Sequence, residues 1–251
     1  MKSIFSQSGL QALSSLKSTK TLYAFDFDGT LAPIVTEPTH ANAGSTTLQY
    51  LDALSRLGST AVISGRALQD LKKRFTFHPK YLIGNHGLEG LPNEPDLMHL
   101  KQVCAHWVEQ LLHEPLLAGG TGCFLEDKGC SLSIHYRVSR SSKSREDLMI
   151  LVTKLKPEPR VVFGKSVINL IPSGGPHKGV ALLELMRLDG AEYAIYLGDD
   201  DTDEDVFALP DSRIVKIRIG NKKDSQASYF LERQSKINEF LRLLLVHFKD
   251  N

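Results

Sequence analysis

The segment from residue 23 to residue 35, Y-A-F-D-F-D-G-T-L-A-P-I-V, constrains this chain more than any other part of its sequence. Residues 22–27 predict a buried β-strand that delivers two carboxylates, Asp26 and Asp28, before a turn at Gly29. Because alternate side chains of a strand point to the same side, the two carboxylates leave its carboxyl end together. Acids this close do not both stay ionised unless a cation neutralises them or one holds a proton. The pattern therefore predicts a site that combines an aspartate nucleophile, an acid/base and a hard metal ion.

Composition excludes several other classes of function. The 251 residues carry a net charge of +1 without a long basic run, so we expect neither nucleic acid nor an anionic membrane as a partner. No apolar run approaches the ~18–20 residues that span a bilayer, and the first 20 residues lack the apolar core of a secretory signal. The three cysteines lack metal-ligand spacing and are expected to be reduced thiols. We predict a soluble, cytoplasmic and monomeric protein.

Strand-like and helix-like segments alternate in the first and last parts of the chain. The predicted strands are 22–27, 60–63, 81–83, 193–197 and 214–219, and the predicted helices are 46–57, 67–75, 178–188, a short one ending at 208, and 235–247. This alternation favours an α/β fold, a parallel sheet with helices on its faces.

The rhythm changes between residues 97 and 173. A helix is predicted at 96–113, a hairpin from strands 123–127 and 130–137, a helix at 143–155, and a hairpin from strands 160–163 and 167–171. This order is typical of an antiparallel α+β layer with its own core. We therefore predict a discontinuous α/β core, residues 1–96 and 174–251, interrupted by an α+β domain at 97–173.

A second acidic segment, G-D-D-D-T-D-E-D at 198–205, follows the predicted strand Y-A-I-Y-L. Ligands of open α/β sheets bind outside the carboxyl ends of the strands, where this loop and Asp26 both lie. Its carboxylates repel one another unless a divalent cation compensates or most of them face water. We predict that Asp199 and Asp200, beside the strand, hold a metal ion, while Asp203–Asp205 only cap the next helix.

Ser64 and Lys178 also lie at predicted element ends. A hydroxyl at a strand end and an ammonium at a helix start can both bind phosphate oxygens. Lys178 would in addition keep Asp26 ionised as a nucleophile.

The four segments with these candidate residues follow one another along the chain as the D-x-D strand end, Ser64, Lys178 and the acidic segment at 198–205. In this order they resemble motifs I to IV of the haloacid dehalogenase superfamily of phosphatases. Further segments are similar to the trehalose-6-phosphate phosphatase family: S-G-R at 64–66, G-N-H-G-L-E at 84–89, K-G-C-S-L-S-I-H-Y-R at 128–137, G-K-S-V-I-N at 164–169, H-K-G-V-A-L at 177–182 and G-D-D-D-T-D-E-D-V-F at 198–207. The resemblance implies a Rossmann-like core and a C2-type cap formed by the inserted domain.

The resemblance also implies the reaction, hydrolysis of a disaccharide phosphate with Mg²⁺ as cofactor. Asp26 would attack phosphorus, Asp28 would serve as acid and base, and Ser64 and Lys178 would stabilise the phosphoryl oxygens. The metal residues implied are Asp26, Asp28 through its carbonyl oxygen, Asp199, and Asp200 through water.

Substrate contacts follow from the same resemblance. The implied residues are Gly65, Arg66, His86, Glu126, Lys128, His135, Arg137, Lys165 and Asn169. His86 and Glu89 match a family loop that orders the floor of the site rather than reacting.

Asn169 departs from the family pattern, which usually has a glutamate after G-K-x-V-x. Asparagine lacks the charge-assisted bond that a carboxylate makes to sugar hydroxyls. A phosphatase for another glycosyl phosphate, such as glucosylglycerol phosphate or sucrose phosphate, therefore stays open beside trehalose 6-phosphate. A phosphotransferase such as a hexose phosphomutase, or a non-catalytic sugar-phosphate sensor on the same fold, is a more distant alternative.

Overall fold

The computed structural model describes residues 1–16, 18–92, 96–119, 121–136, 144–164 and 166–249. The chain forms two compact units, Met1–Leu91 with His177–Asn251, and Pro92–Pro176, which we call the large and the small unit. The small unit contains all of the predicted inserted segment, 97–173, with a few more residues at each end.

The described strands are β1 (Lys2–Ser3), β2 (Thr21–Phe25), β3 (Thr60–Ile63), β4 (Tyr81–Ile83), β5 (Phe124–Asp127), β6 (Leu132–His135), β7 (Arg160–Gly164), β8 (Val167–Ile171), β9 (Tyr193–Gly198), β10 (Ile214–Ile219) and β11 (Tyr229–Leu231). The described α-helices are α1 (Gln7–Ser14), α2 (Ser45–Ser55), α3 (Leu68–Lys72), α4 (Leu97–Leu111), α5 (Ser144–Val152), α6 (Lys178–Asp189), α7 (Glu204–Phe207) and α8 (Ile237–Lys249). None of them is long and apolar enough to cross a bilayer.

The large unit is built on a seven-stranded parallel sheet in the order β1-β11-β10-β9-β2-β3-β4. All five residues of β2 are buried, because this strand lies inside the sheet and both of its faces are covered. One buried cluster contains Phe25 and Phe240, and a second contains Leu22 and Leu185. Neighbours in this sheet end at the same edge, so the loops after β2, β3 and β9 start side by side.

The small unit has a four-stranded antiparallel sheet in the order β5-β6-β8-β7. Alternate residues divide its two faces. Ile134 and Ile168 belong to a buried cluster with Trp107 of α4, whose indole Nε1 donates to the Pro157 carbonyl at 2.7 Å. The opposite face carries polar side chains. Three of them lie side by side across neighbouring strands, because Ser133 is paired with Glu126 on one side and with Asn169 on the other.

The predicted order of elements is confirmed for most of the chain. Strands 60–63, 81–83 and 214–219 have the predicted limits, whereas the first strand ends at Phe25, two residues earlier than predicted. Three elements, β1, α1 and β11, were not predicted. The strands β1 and β11 have only two and three residues, too few for a periodicity of side chains to appear.

Candidate active site

The site lies at the carboxyl edge of the large unit's sheet, where β2 and β9 are neighbours. Asp26 directly follows β2, and its backbone N–H donates to the Leu197 carbonyl at 2.8 Å. Asp199 directly follows β9. Carboxylate oxygens of Asp26, Asp199 and Asp203 lie within 4.8 Å of one another, and all three side chains are buried. Two acidic segments far apart in sequence therefore meet in one cluster.

Lys178 brings a positive charge into this cluster. It is the first residue of α6 and only 1% exposed. Its Nζ donates to Asp26 Oδ1 at 2.9 Å and to Asp203 Oδ1 at 2.7 Å. The helix start is held by His177, whose Nδ1 accepts from the Gly179 N–H at 3.2 Å. The ammonium therefore links the two carboxylates that flank it.

The cluster contains more acidic than basic groups, and each shifts the pKa values of the others. Burial raises the pKa of the Asp26 carboxyl well above its usual range; Lys178 lowers it, and Asp203 and Asp199 raise it. Burial lowers the pKa of Lys178, but the carboxylates of Asp203 and Asp26 raise it more, so the net shift is upward. With one ammonium among three carboxyl groups, the excess negative charge is removed either by a proton on Asp26 or by a divalent cation.

The donor set fits a hard cation, because Asp26 and Asp199 offer only oxygen. The two oxygens of Asp203 are already used, since Oδ1 accepts from Lys178 and from the Tyr196 hydroxyl, and Oδ2 accepts from the Asp200 N–H. Asp26 and Asp199 are the other two carboxylates of the cluster. The carboxylates of Asp28 and Asp200 do not belong to the cluster.

Gly29 allows Asp199 to approach the turn after β2. It has a φ of +81°, and a Cβ at this position would lie 2.1 Å from Asp199 Oδ2. An alanine would be strained and would also collide with the carboxylate. The glycine of D-x-D-G is thus required by close packing as well as by backbone conformation.

The carboxylate of Asp28 is bound by Arg66. The guanidinium donates to Asp28 Oδ2 from Nε and to Asp28 Oδ1 from Nη2, both at 2.7 Å. It also donates to Asp70 Oδ2 and to the Pro38 carbonyl at 2.7 Å. Arg66 was predicted to contact substrate, but four of its donor contacts go to protein groups, and two of those hold Asp28.

Ser64 is buried and contacts the backbone of neighbouring residues. Ser64 is 1% exposed, and its Oγ accepts from the Arg66 N–H at 3.3 Å. His86 has a φ of 61°, its N–H donates to the Ser64 carbonyl at 2.9 Å, and its ring excludes any Cβ from Gly65. Glu89 Oε2 accepts from the Leu68 N–H at 2.8 Å, at the start of α3.

Four of the predicted sugar contacts share the polar region of the small unit's sheet. Glu126 Oε2 lies 2.7 Å from His135 Nε2 and 3.9 Å from Lys128 Nζ. Asn169 is 4% exposed, and its Oδ1 accepts from the Ser133 hydroxyl at 2.7 Å. The predicted contacts Arg137 and Lys165 lie outside the described residues.

Comparison with known proteins identifies the family. Residues 24–235 match the trehalose-phosphatase family. The chain belongs to the trehalose-phosphatase family. The match confirms the family predicted from the sequence. Members of this family are phosphoric monoester hydrolases, which confirms the predicted enzyme class.

Individual members of the trehalose-phosphatase family give the extent of the likeness. The trehalose-6-phosphate phosphatase of Escherichia coli K12 is 32% identical over 76% of this chain and 74% of that protein. The trehalose-phosphate phosphatase of Mycobacterium tuberculosis H37Rv is 31% identical over 86% of this chain, which spans 59% of that protein's length. The C-terminal domain of the Candida albicans trehalose-6-phosphate phosphatase superposes with a TM-score of 0.77 at 22% identity, covering 98% of both chains. This last likeness shows the fold and confirms the predicted fold class.

Two residues of this trehalose-phosphatase family site were not found from the sequence. Asp203 was expected only to cap a helix; it does accept from the Asp200 N–H, but it also binds Lys178. Its place in the same acidic segment as Asp199 was the available signal. Tyr196, whose hydroxyl donates to Asp203 at 2.7 Å, lies inside an apolar strand and offered none.

Proposed function

We propose that this chain is an Mg²⁺-dependent phosphatase that hydrolyses trehalose 6-phosphate to trehalose and phosphate. The observation that carries the proposal is the buried ammonium of Lys178 between Asp26 and Asp203, beside Asp199. Family membership and the names of the relatives support the substrate, a small sugar phosphate.

In the first step, a carboxylate oxygen of Asp26 attacks phosphorus in line with the leaving sugar oxygen. The P–O bond to the sugar breaks, Asp28 gives its proton to that oxygen, and an aspartyl-phosphate remains on Asp26. Arg66 holds both oxygens of Asp28 in this structure, and these contacts lose the charge of the carboxylate while Asp28 carries the proton.

In the second step, water attacks the phosphorus of the aspartyl-phosphate. Asp28 takes a proton from this water, the bond between Asp26 and phosphorus breaks, and the Asp26 carboxylate is restored. Asp28 then holds the proton needed for the next turnover, so protons balance over the cycle.

The transferred phosphoryl group needs positive charge and donors around its oxygens. Lys178 has three N–H donors and uses two on Asp26 and Asp203, so the third is available for a phosphoryl oxygen. We assign a second donor role to the Ser64 hydroxyl. Mg²⁺, held by Asp26 and Asp199 with the carbonyl oxygen of Asp28 and with Asp200 through water, would neutralise phosphate charge and orient the phosphate.

We further propose that the small unit serves as the cap that recognises the sugar. Glu126, Lys128 and His135 are close together, and a carboxylate beside cationic and imidazole groups suits a set of sugar hydroxyls. Arg137 and Lys165 remain predictions by resemblance.

A second candidate is a phosphatase for another glycosyl phosphate. The observation that favours it is Asn169, which stands where the family usually has glutamate and is buried against Ser133. A buried carboxamide that already accepts from a hydroxyl offers a sugar a weaker and neutral contact than a carboxylate.

Phosphate release from a panel of sugar phosphates tests these proposals. With Mg²⁺ present, trehalose 6-phosphate should give the highest kcat/KM among trehalose 6-phosphate, sucrose 6-phosphate, glucosylglycerol phosphate and glucose 6-phosphate. Excess EDTA should abolish release. Asp26→Asn should also abolish it, because an amide does not attack phosphorus, whereas the control Asp52→Asn, on α2 with its carboxylate paired to Arg56, should keep wild-type rates.

Each contrary result has a distinct meaning. A higher kcat/KM for another glycosyl phosphate would reject trehalose 6-phosphate in favour of the second candidate. Binding of sugar phosphates without turnover of any would identify a sensor. Wild-type release by Asp26→Asn would remove the nucleophile assignment.

A further inference from the structure

Arg218 lies beside the acidic loop at the end of β10. In the register of the sheet it is paired with Gly198, the last residue of β9 before the loop begins. Its side chain extends under the loop and is 7% exposed. Nothing in the sequence pattern separated this arginine from other residues of a short strand.

The guanidinium of Arg218 makes three hydrogen bonds to the loop. Nη2 donates to the Asp199 carbonyl at 2.7 Å, and Nη1 donates to the Asp200 carbonyl at 3.1 Å and to Glu204 Oε1 at 2.8 Å. Glu204 in turn accepts from the Gln226 N–H at 2.9 Å through its other oxygen. The rigid fork of arginine suits this arrangement, since a lysine ammonium would be a single point charge.

These contacts fix one particular peptide group. The carbonyl oxygen of Asp199 and the N–H of Asp200 belong to the same planar peptide. The oxygen accepts from Arg218, and the N–H donates to Asp203 Oδ2 at 2.9 Å. With both ends held, the plane cannot turn, so the directions in which the Asp199 and Asp200 side chains leave the backbone are set.

We propose that Arg218 is a positioning residue for the divalent-cation site, acting through the peptide between Asp199 and Asp200. The inference rests on the proposed function, because that function supplies the cation. Arg218 touches neither the cluster of carboxylate oxygens nor the reacting atoms. Loss of Arg218 should therefore change the affinity for the cation rather than the rate of the chemical step.

Charge and position predict opposite effects of removing Arg218. Loss of a buried positive charge beside an acidic loop would, by Coulomb's law alone, strengthen cation binding. Loss of the fixed peptide would weaken it, and mutation of such supporting groups typically lowers metal affinity roughly 10- to 100-fold. The sign of the change therefore separates the two roles.

The experiment measures binding of Mn²⁺, a paramagnetic substitute for Mg²⁺, to the full chain without substrate by electron paramagnetic resonance. Arg218→Met should weaken binding roughly 10- to 100-fold. Arg218→Lys, which keeps the charge but loses the fork, should give an intermediate loss, and it decides the question if the methionine variant does not fold. The matched control is Arg213→Met, because Arg213 directly precedes the same strand and donates from Nη2 to Asp211 Oδ2 at 2.7 Å; it should bind Mn²⁺ as wild type does.

Phosphate release is measured in parallel. The Mg²⁺ concentration for half-maximal activity should rise in both Arg218 variants, with kcat recovered at saturating Mg²⁺. Mn²⁺ affinity in Arg218→Met equal to or tighter than wild type, unchanged affinity in Arg218→Lys, or no Mn²⁺ binding by wild type would each overturn the inference. If affinity falls as expected but wild type hydrolyses no sugar phosphate, the proposed function fails and the positioning role stands.

Discussion

Lys178 is a buried ammonium that two carboxylates share. Its contacts reach Asp26 at 2.9 Å and Asp203 at 2.7 Å, and Tyr196 adds a neutral donor to the same Asp203 oxygen. Removing one partner of a buried ion pair costs far more than the pair itself contributes, because the remaining charge is left in a medium of low polarity. The residue proposed to bind phosphate is therefore also structural.

Replacing Lys178 with methionine should lower the free energy of unfolding by about 3–5 kcal/mol at neutral pH, measured by urea denaturation in EDTA. Lys20→Met is the control, because the side chains of Lys20 and its partner Glu192 are 49% and 51% exposed, and it should cost less than about 1 kcal/mol. Equal losses in the two variants would contradict this prediction.

The loss in Lys178→Met should depend on pH. Burial already raises the pKa of Asp26, and without the ammonium that pKa rises further above its value in the unfolded chain. The folded variant then takes up protons that the unfolded chain does not, so its deficit should shrink as the pH is lowered from neutral towards the ordinary carboxyl range. A deficit that does not change with pH would show that Lys178 acts by packing alone.

At the scale of elements, the site depends on turns that let loops approach one another. The turn after β2 carries Gly29 against Asp199, and α6 begins with Lys178 pointing at the ends of β2 and β9. Each element contributes one or two groups, and the parallel sheet collects them at one edge.

Alanine at Gly29 should cause both backbone strain and a collision with Asp199, and comparison with alanine at Gly129 should separate the two effects. Gly129, in the hairpin between β5 and β6, has a φ of +82°, close to the +81° of Gly29, but a Cβ there would meet nothing within 4 Å. Both alanine variants should lose about 1–2 kcal/mol of stability from strain. Only Gly29→Ala should also raise the Mg²⁺ requirement for phosphate release, by roughly tenfold or more, because it displaces Asp199. Equal Mg²⁺ requirements for both variants would rule out this role for Gly29.

At the scale of the whole molecule, the reacting groups belong to the large unit and the proposed sugar contacts to the small unit. The small unit has its own buried cluster around Trp107, so we expect substitutions on its polar sheet face to leave that core intact. Because the two sets of residues lie in different units, phosphate hydrolysis and sugar specificity can be tested independently.

Glu126→Ala should lower kcat/KM for trehalose 6-phosphate roughly 10- to 150-fold, the equivalent of one charge-assisted hydrogen bond at ~1.5–3 kcal/mol. Hydrolysis of p-nitrophenyl phosphate, which has no sugar, should change by less than about twofold. Glu109→Ala, on α4 with its side chain 77% exposed, is the control and should leave both substrates unaffected. Equal losses on both substrates would mean that Glu126 supports the fold or the phosphate site.

Much of this protein was determined by its sequence locally. The apolar strand ending in D-x-D-G-T, the strands at 60–63, 81–83 and 214–219, and the change of rhythm at the inserted segment all follow from side-chain alternation and turn glycines. Those signals lie within a few neighbouring residues, so they can be read without knowing the fold. Asp26, Asp199 and Lys178 were predicted in the same way, from their places after strands and at the start of a helix, and the family motifs matched them.

Only the tertiary structure decided which of these side chains meet. Arg66 holds Asp28 across 38 residues of sequence, Lys178 reaches Asp26 across 152, and Arg218 holds the acidic loop from a neighbouring strand. An arginine that binds substrate and one that positions an aspartate look the same in a sequence. The difference depends on distances and on competition between partners, and strand pairing and burial create these only when the chain is folded.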